Sequence, residues 1–277
     1  MTAIQVRGLR KSYREVDAVA GVDLDIRQGE VFALLGPNGA GKTTTVEILE
    51  GHRRRDAGEV SVLGVDPATA GRSWRARLGI VLQTANDAAA LTVRESVRHY
   101  AGYYPNPAPV DEVIERVGLT AKAGARVKAL SGGQRRRLDV ALGVVGRPEL
   151  VFLDEPTTGF DPEARRQFWE LIRSLAAGGT TILLTTHYLD EAEALADRVA
   201  VIAGGRIVAE GTPATLGGRS TAKATVRWVG PGGPRSVLTD TPTALIADLS
   251  RDGELAELTV TRPSLEDTYL ELIGEPR

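Results

Sequence analysis

The stretch Leu34-Leu35-Gly36-Pro37-Asn38-Gly39-Ala40-Gly41-Lys42-Thr43-Thr44 constrains the fold of this chain more than any other. The apolar run 31–35 reads as a buried strand, and 43–50 reads as the start of a helix closed by Gly51. Between them stands the pattern G-x-x-x-x-G-K-T. Glycines let such a loop curl until several backbone N–H groups face one anion, and the helix behind it adds its positive end. Lys42 is placed to set an ammonium against the outer phosphates, and Thr43 to offer a hydroxyl to Mg²⁺. The alternative is a glycine-rich turn with an incidental lysine. The order strand, loop, helix favours a nucleoside triphosphate site.

Composition narrows the class. In 277 residues, 42% are hydrophobic and 25% charged, as in soluble globular proteins. The 34 Lys+Arg nearly balance 36 Asp+Glu, so no global basic field suggests nucleic acid. The arginine runs 53–55 and 135–137 read as solvated or interface faces. Without cysteine there is no disulfide, thiolate chemistry or Cys-based metal site. The first residues show no secretory pattern, and no apolar run approaches bilayer length, so a cytosolic location is expected.

Further candidates follow in chain order. Residues 4–9 and 22–26 read as two strands split by the polar stretch 10–17, which holds Tyr13. Its ring could stack on a purine, although the simpler reading is a half-buried aromatic. Strands are expected at 59–63 and 78–82, with Gln83 at the exit of the second. That amide could reach a metal or a water beside the terminal phosphate and sense the segment after it; the plainer reading is a surface glutamine. The pattern then turns helical, with a capping box from Thr92 to Glu95, a break at 105–109 and a short helix over 111–117. Ser131, Gly132, Gly133 and Gln134 open another helix, and two glycines at its start make a second anion-binding end.

The run 150–153 reads as a buried strand carrying Asp154 and Glu155 at its carboxyl end, where α/β sheets place ligands. Asp154 is suited to Mg²⁺, and Glu155 to orienting or deprotonating a water. A helix from Pro162 to Leu175, a strand over 181–186 with His187 at its exit, and a hairpin around Gly204-Gly205 follow. Beyond about 213 the composition shifts. Strands are expected at 224–229 and 255–261, and short helices at 242–249 and 265–272. That tail is small for an independent core.

In this order and at these distances, the loop at 36–44, the segment 130–134, Leu153-Asp154-Glu155-Pro156-Thr157, Asp161 and His187 resemble the ATP-binding subunit of ABC transporters over about residues 3–215. The resemblance implies that Tyr13 stacks on adenine, that Gly36 to Thr44 form the Walker A loop, and that Gln83 is the Q-loop glutamine. It makes Leu130 to Gln134 the signature, Asp154 the Walker B aspartate, Glu155 the catalytic glutamate, Asp161 the D-loop aspartate and His187 the switch histidine. Phe160 stands where the family carries leucine.

The implied fold is α/β, a P-loop ATPase with a mixed sheet core, an N-terminal antiparallel part and a helical subdomain near 84–148. The ATPase domain would span 1–215, and 216–277 would form a small α+β extension. ATP and Mg²⁺ are the implied cofactors. The implied partners are a second copy of the chain, with ATP sandwiched between the two, and a separate membrane permease; no nucleic acid is expected. The protein would lie on the inner face of the membrane, held by the permease. The segments at 131–139, 185–193 and 263–270 resemble drug and antibiotic exporters of the daunorubicin-resistance type. An importer ATPase, a non-transport ATPase acting on ribosomes or DNA, and a non-enzymatic nucleotide-gated subunit remain as alternatives.

Overall fold

The computed structural model describes residues 1–81, 90–230 and 232–274. Two compact units divide the chain, Met1–Val208 and Ala209–Arg277.

The first unit opens with an antiparallel hairpin, β1 (Thr2–Tyr13) and β2 (Val16–Arg27). The strands reach further into the polar stretch expected to split them, leaving only Arg14 and Glu15 between them. Cross-strand pairs continue from Arg10↔Ala20 to Tyr13↔Val16. The polar side chains satisfy one another there: Ser12 Oγ donates to Asp17 at 2.5 Å and Lys11 Nζ to Asp56 at 2.6 Å. The polar stretch holds both the solvated end of the ladder and the turn at 14–15 that closes it.

Next come β3 (Val31–Leu35), α1 (Lys42–Leu49) and β4 (Ala57–Val62), and β4 pairs with the free side of β1. A short helix α2 (Arg72–Arg75) and β5 (Leu78–Val81) follow. Gln83 lies outside the described residues. Three helices then pack on one another: α3 (Val93–Ala101), α4 (Val110–Arg116) and α5 (Gly132–Val144). The capping box from Thr92 to Glu95 forms, with both reciprocal bonds made.

The main sheet is completed by β6 (Leu150–Asp154), β7 (Thr181–Thr186), β8 (Arg198–Ala203) and β9 (Arg206–Gly211), with α6 (Pro162–Ala177) and α7 (Leu189–Leu195) between them. Its order is β5-β6-β7-β3-β8-β9, and the first five strands are parallel. Every residue of β3 and β7 is buried; β3 is wholly apolar, and the three threonines of β7 are hydrogen-bonded through their hydroxyls. Gly204 (φ 54°) and Gly205 (φ 71°) supply the left-handed turn between β8 and β9. Phe32, Leu34, Phe152, Leu183 and Ile202 pack with Ile4, Val6, Leu24 and Ile48 into one core joining both sheets. Each such side chain contributes about 1.5–3 kcal/mol on burial.

The second unit contains β10 (Ala224–Gly230), β11 (Gly233–Thr239), α8 (Pro242–Leu249), β12 (Ala256–Thr261) and α9 (Leu265–Ile273). Its sheet runs β11-β10-β12, antiparallel throughout. β11 was not expected, because Pro234, Arg235 and Ser236 show no apolar alternation; it forms as an exposed edge strand. No helix among the described residues is long and apolar enough to cross a membrane.

Candidate functional site

Sheet order decides which strand ends meet. β6, β7 and β3 are adjacent and parallel, with Asp154 paired to Thr185 and Leu35 to Thr186. The loop after β3, the carboxylates closing β6 and the histidine after β7 therefore share one edge, the carboxyl end of a parallel sheet.

The loop is shaped by close backbone approach. A Cβ on Gly36 would lie 2.4 Å from the carbonyl oxygen of Ile202, and one on Gly41 2.2 Å from that of Ala18. Gly41 is also left-handed, φ 103°. Pro37, Asn38 and Gly39 are exposed, while Ala40 is buried and its carbonyl accepts from Gly205 N at 3.2 Å. No side chain caps α1, so its first N–H groups remain for an anion. Lys42 is buried, and its ammonium donates to Gly36 O at 2.7 Å and Pro37 O at 3.1 Å. Burial pushes its pKa down, opposed by the charges of Glu155 and Asp154. Thr43 is exposed and Thr44 partly so.

Across the strand end, Thr185 Oγ1 donates to Asp154 Oδ1 at 2.5 Å. Glu155 has a left-handed backbone, φ 42°, which costs a non-glycine residue about 1–2 kcal/mol. Its N–H is held by Thr185, 3.1 Å from both the carbonyl and the hydroxyl oxygens. Its carboxylate Oε1 lies 3.3 Å from His187 Nδ1. The His187 ring in turn stacks at a tilt on Tyr188, 4.1 Å between centroids, and the Arg165 guanidinium covers Tyr188 at 4.5 Å.

The other expected residues are placed elsewhere on the unit. Ser131 and Gln134 form a capping box at the start of α5: Ser131 Oγ accepts from Gln134 N at 3.3 Å, and Gln134 Oε1 from Ser131 N at 3.1 Å. Ser131 and Gly132 are exposed, and Gly133 is partly buried. Among the described residues, no hydrogen bond or ion pair joins these four to the loop at 36–44. Asp161 caps α6, accepting from Ala164 N at 2.8 Å. Phe160 packs edge-on against buried Phe168, 5.7 Å between centroids, which accommodates the departure from leucine. Tyr13 ends β1 with an exposed ring, Arg53 lying 5.2 Å and Lys11 5.7 Å from its centroid.

Several neighbours of the site were not expected, and Arg136, read as part of a solvated or interface run at 135–137, is instead buried. Thr185 was hidden as one of three threonines in a buried strand. Arg136 donates from α5 to Asp154 O at 2.9 Å and Pro156 O at 3.0 Å. Glu191 is fully buried, and burial raises its carboxyl pKa against the pull of Thr186, Thr157, Trp169 and Arg165. Glu50, buried at the end of α1, has a carboxyl pushed up to about 8, first by burial and then by the charges of Asp154 and Glu47.

A parallel sheet whose glycine-rich loop and strand-end carboxylates share one edge, joined to an antiparallel N-terminal sheet and a helical insertion, defines an ATP-binding cassette of the P-loop class. Comparison with known proteins gives the same answer. Residues 19–158 match the ABC transporter family. The daunorubicin resistance ATP-binding protein DrrA3 of Streptomyces coeruleorubidus is 38% identical over 307 residues, covering 100% of this chain and 97% of that protein. The Nod factor export ATP-binding protein I of Ralstonia nicotianae is 46% identical over 219 residues, 77% of this chain and 68% of the relative. Among solved structures, the ATP-binding subunit of an ABC transporter superposes with a TM-score of 0.69 at 27% identity, over 76% of this chain and 90% of that one. The chain belongs to the ABC transporter family, as an ATP-hydrolysing, ATP-binding subunit of a transporter.

Proposed function

We propose that this subunit powers export of a drug, antibiotic or other hydrophobic compound through a separately encoded membrane permease. It would work as a homodimer that sandwiches two ATP molecules, lying on the inner face of the membrane through that permease. The names of its relatives, which speak of daunorubicin resistance and Nod factor export, support the direction. In this reading the ATPase domain spans 1–215, its helical part lies near 84–148, and 216–277 is an accessory extension.

The carrying observation for hydrolysis is the Glu155–His187 contact of 3.3 Å beside the Lys42 loop. Backbone N–H groups of Gly36 to Thr44 would cradle the phosphates, and Lys42 would leave its carbonyl partners for the outer phosphate oxygens. Glu155 would hold the attacking water and accept its proton, while His187 orients both the carboxylate and the terminal phosphate. Thr43 and Asp154 supply hard oxygen donors, the set that suits Mg²⁺, with Gln83 as a further ligand. Bound there, the ion would neutralise charge on the phosphate oxygens. Tyr13 would stack on the base. Ser131, Gly132, Gly133 and Gln134 of one copy would close over the nucleotide of the other, with Asp161 at the same interface.

Glu155→Gln tests the assignment. ATP affinity is expected to survive while turnover falls by about 10²-fold or more. Near wild-type hydrolysis would remove Glu155 from the reaction. For the transport reading, purification of the tagged chain from its native membrane is expected to recover a multi-span protein; recovery of ribosomal proteins or nucleic acid would overturn it.

A further inference from the structure

Glu155 is held by more than its own strand. A left-handed non-glycine residue persists only where its surroundings over-determine it. Thr185 secures its N–H from one side. From the other, a single side chain grips both flanking residues: Arg136 donates Nη2 to Asp154 O at 2.9 Å and Nε to Pro156 O at 3.0 Å. The fork geometry of a guanidinium suits two carbonyls that diverge around a turn, and a lysine could reach only one at a time.

Arg136 is also an expensive residue to place there. Its side chain is 8% exposed, and Asp139 lies 3.9 Å from it. Burial lowers the guanidinium pKa, against the charges of Asp139, Asp154 and Glu191. A buried charge that spends two hydrogen bonds on the backbone carbonyls of one turn needs a reason beyond packing. Arg136 further belongs to α5, whose first turn carries Ser131, Gly132, Gly133 and Gln134.

We propose that Arg136 is a positioning residue for hydrolysis: it fixes the turn that aims Glu155 and joins that carboxylate rigidly to α5. The proposal rests on Glu155 being the carboxylate that orients the water. Any shift of α5 when its first turn meets nucleotide on a second copy then reaches Glu155 through one buried side chain.

The test compares full-length Arg136→Met, Arg136→Lys and Glu155→Gln by steady-state hydrolysis, binding of a fluorescent ATP analogue and thermal melting. Arg136→Met is expected to lower kcat about tenfold or more with KM and analogue affinity changed less than about twofold, the split of an interaction felt only in the transition state. Arg136→Lys, which retains one donor, is expected to recover part of that loss. Added to Glu155→Gln, Arg136→Met is expected to cost less than about twofold more, because both act through one group.

A kcat within about twofold of wild type in both Arg136 variants would overturn the proposal, as would parallel loss of kcat and analogue affinity. Should Arg136→Met fail to fold, a folded Arg136→Lys with full kcat overturns it and one with reduced kcat and unchanged affinity sustains it. An active Glu155→Gln would instead refute the assignment of the water-orienting carboxylate. An inactive Glu155→Gln beside fully active Arg136 variants would refute only the role of Arg136.

Discussion

Glu50 ends α1 with 4% of its surface exposed and Oε2 3.2 Å from His52 Nδ1. Its carboxyl is raised from the ordinary 4.5 to about 8, so the folded state holds a proton that the unfolded chain releases. Stability from this group is therefore full below about pH 4.5 and is lost as pH rises towards 8. The nucleotide-free protein should lose about 3–4 kcal/mol between pH 5 and 8 that Glu50→Gln does not lose. Urea midpoints at both pH values check this, and parallel wild-type and variant curves would refute it. Asp139, pushed up to about 6 by burial, adds a smaller change of the same sign. Gly41 gives a second prediction. At φ 103° and 2.2 Å from Ala18 O, a methyl group must displace the loop. Gly41→Ala should lower ATP affinity by about tenfold or more through strain of about 1–3 kcal/mol, measured by analogue titration. Lys42, Asp154, Glu155 and His187 were legible because each stands at a strand or helix end that the apolar runs locate. Arg136, Thr185 and Glu50 were not. Arg136 and Thr185 bond groups on other elements, and the Glu50 carboxyl is raised by burial and by Asp154 on β6, none of which local spacing marks.

At the scale of elements, apolar runs and caps carried most of the fold. β7 and α8 form over the residues expected, and α6 extends only past its expected end, because uninterrupted apolar spacing and Pro at the first turn leave few competitors. The exposed ladders at 10–17 and 233–239 escaped notice for the opposite reason: neither face is buried, so neither carries a period. Asp161 shows how one residue can answer to two demands. Its side chain caps α6 through Ala164 N at 2.8 Å, a sufficient structural reason for an aspartate. Asp161→Ala should therefore cost about 1 kcal/mol of stability, whereas Asp161→Asn, also a good cap, should cost a few tenths. If the carboxylate also serves the dimer, Asp161→Asn will hydrolyse ATP more slowly at unchanged melting temperature. Equal turnover would reduce Asp161 to its cap.

For the whole molecule, the two anion-binding helix ends raise the question of what unites them. In one copy, α1 opens at the phosphate loop, while at the start of α5 Ser131 and Gly132 are exposed and Ser131 and Gln134 cap one another. On the proposed reading, a Ser-Gly-Gly helix start that is capped and open to solvent would receive an anion from outside the chain. A second copy can bring one, since each copy has both a loop and a signature and two-fold symmetry satisfies both at once. The binding energy then comes from nucleotide charge, so the pair should form only with ATP present and unhydrolysed. Glu155→Gln with ATP and Mg²⁺ should elute from size exclusion at twice the mass of the same protein without nucleotide. Glu155→Gln with Ser131→Arg should stay single while still binding the ATP analogue, because a long side chain obstructs the second site and leaves the first intact. A double variant that still pairs would show that the contact between copies lies away from α5, and the reading of Ser131, Gly132, Gly133 and Gln134 as a shared nucleotide site would fall with it.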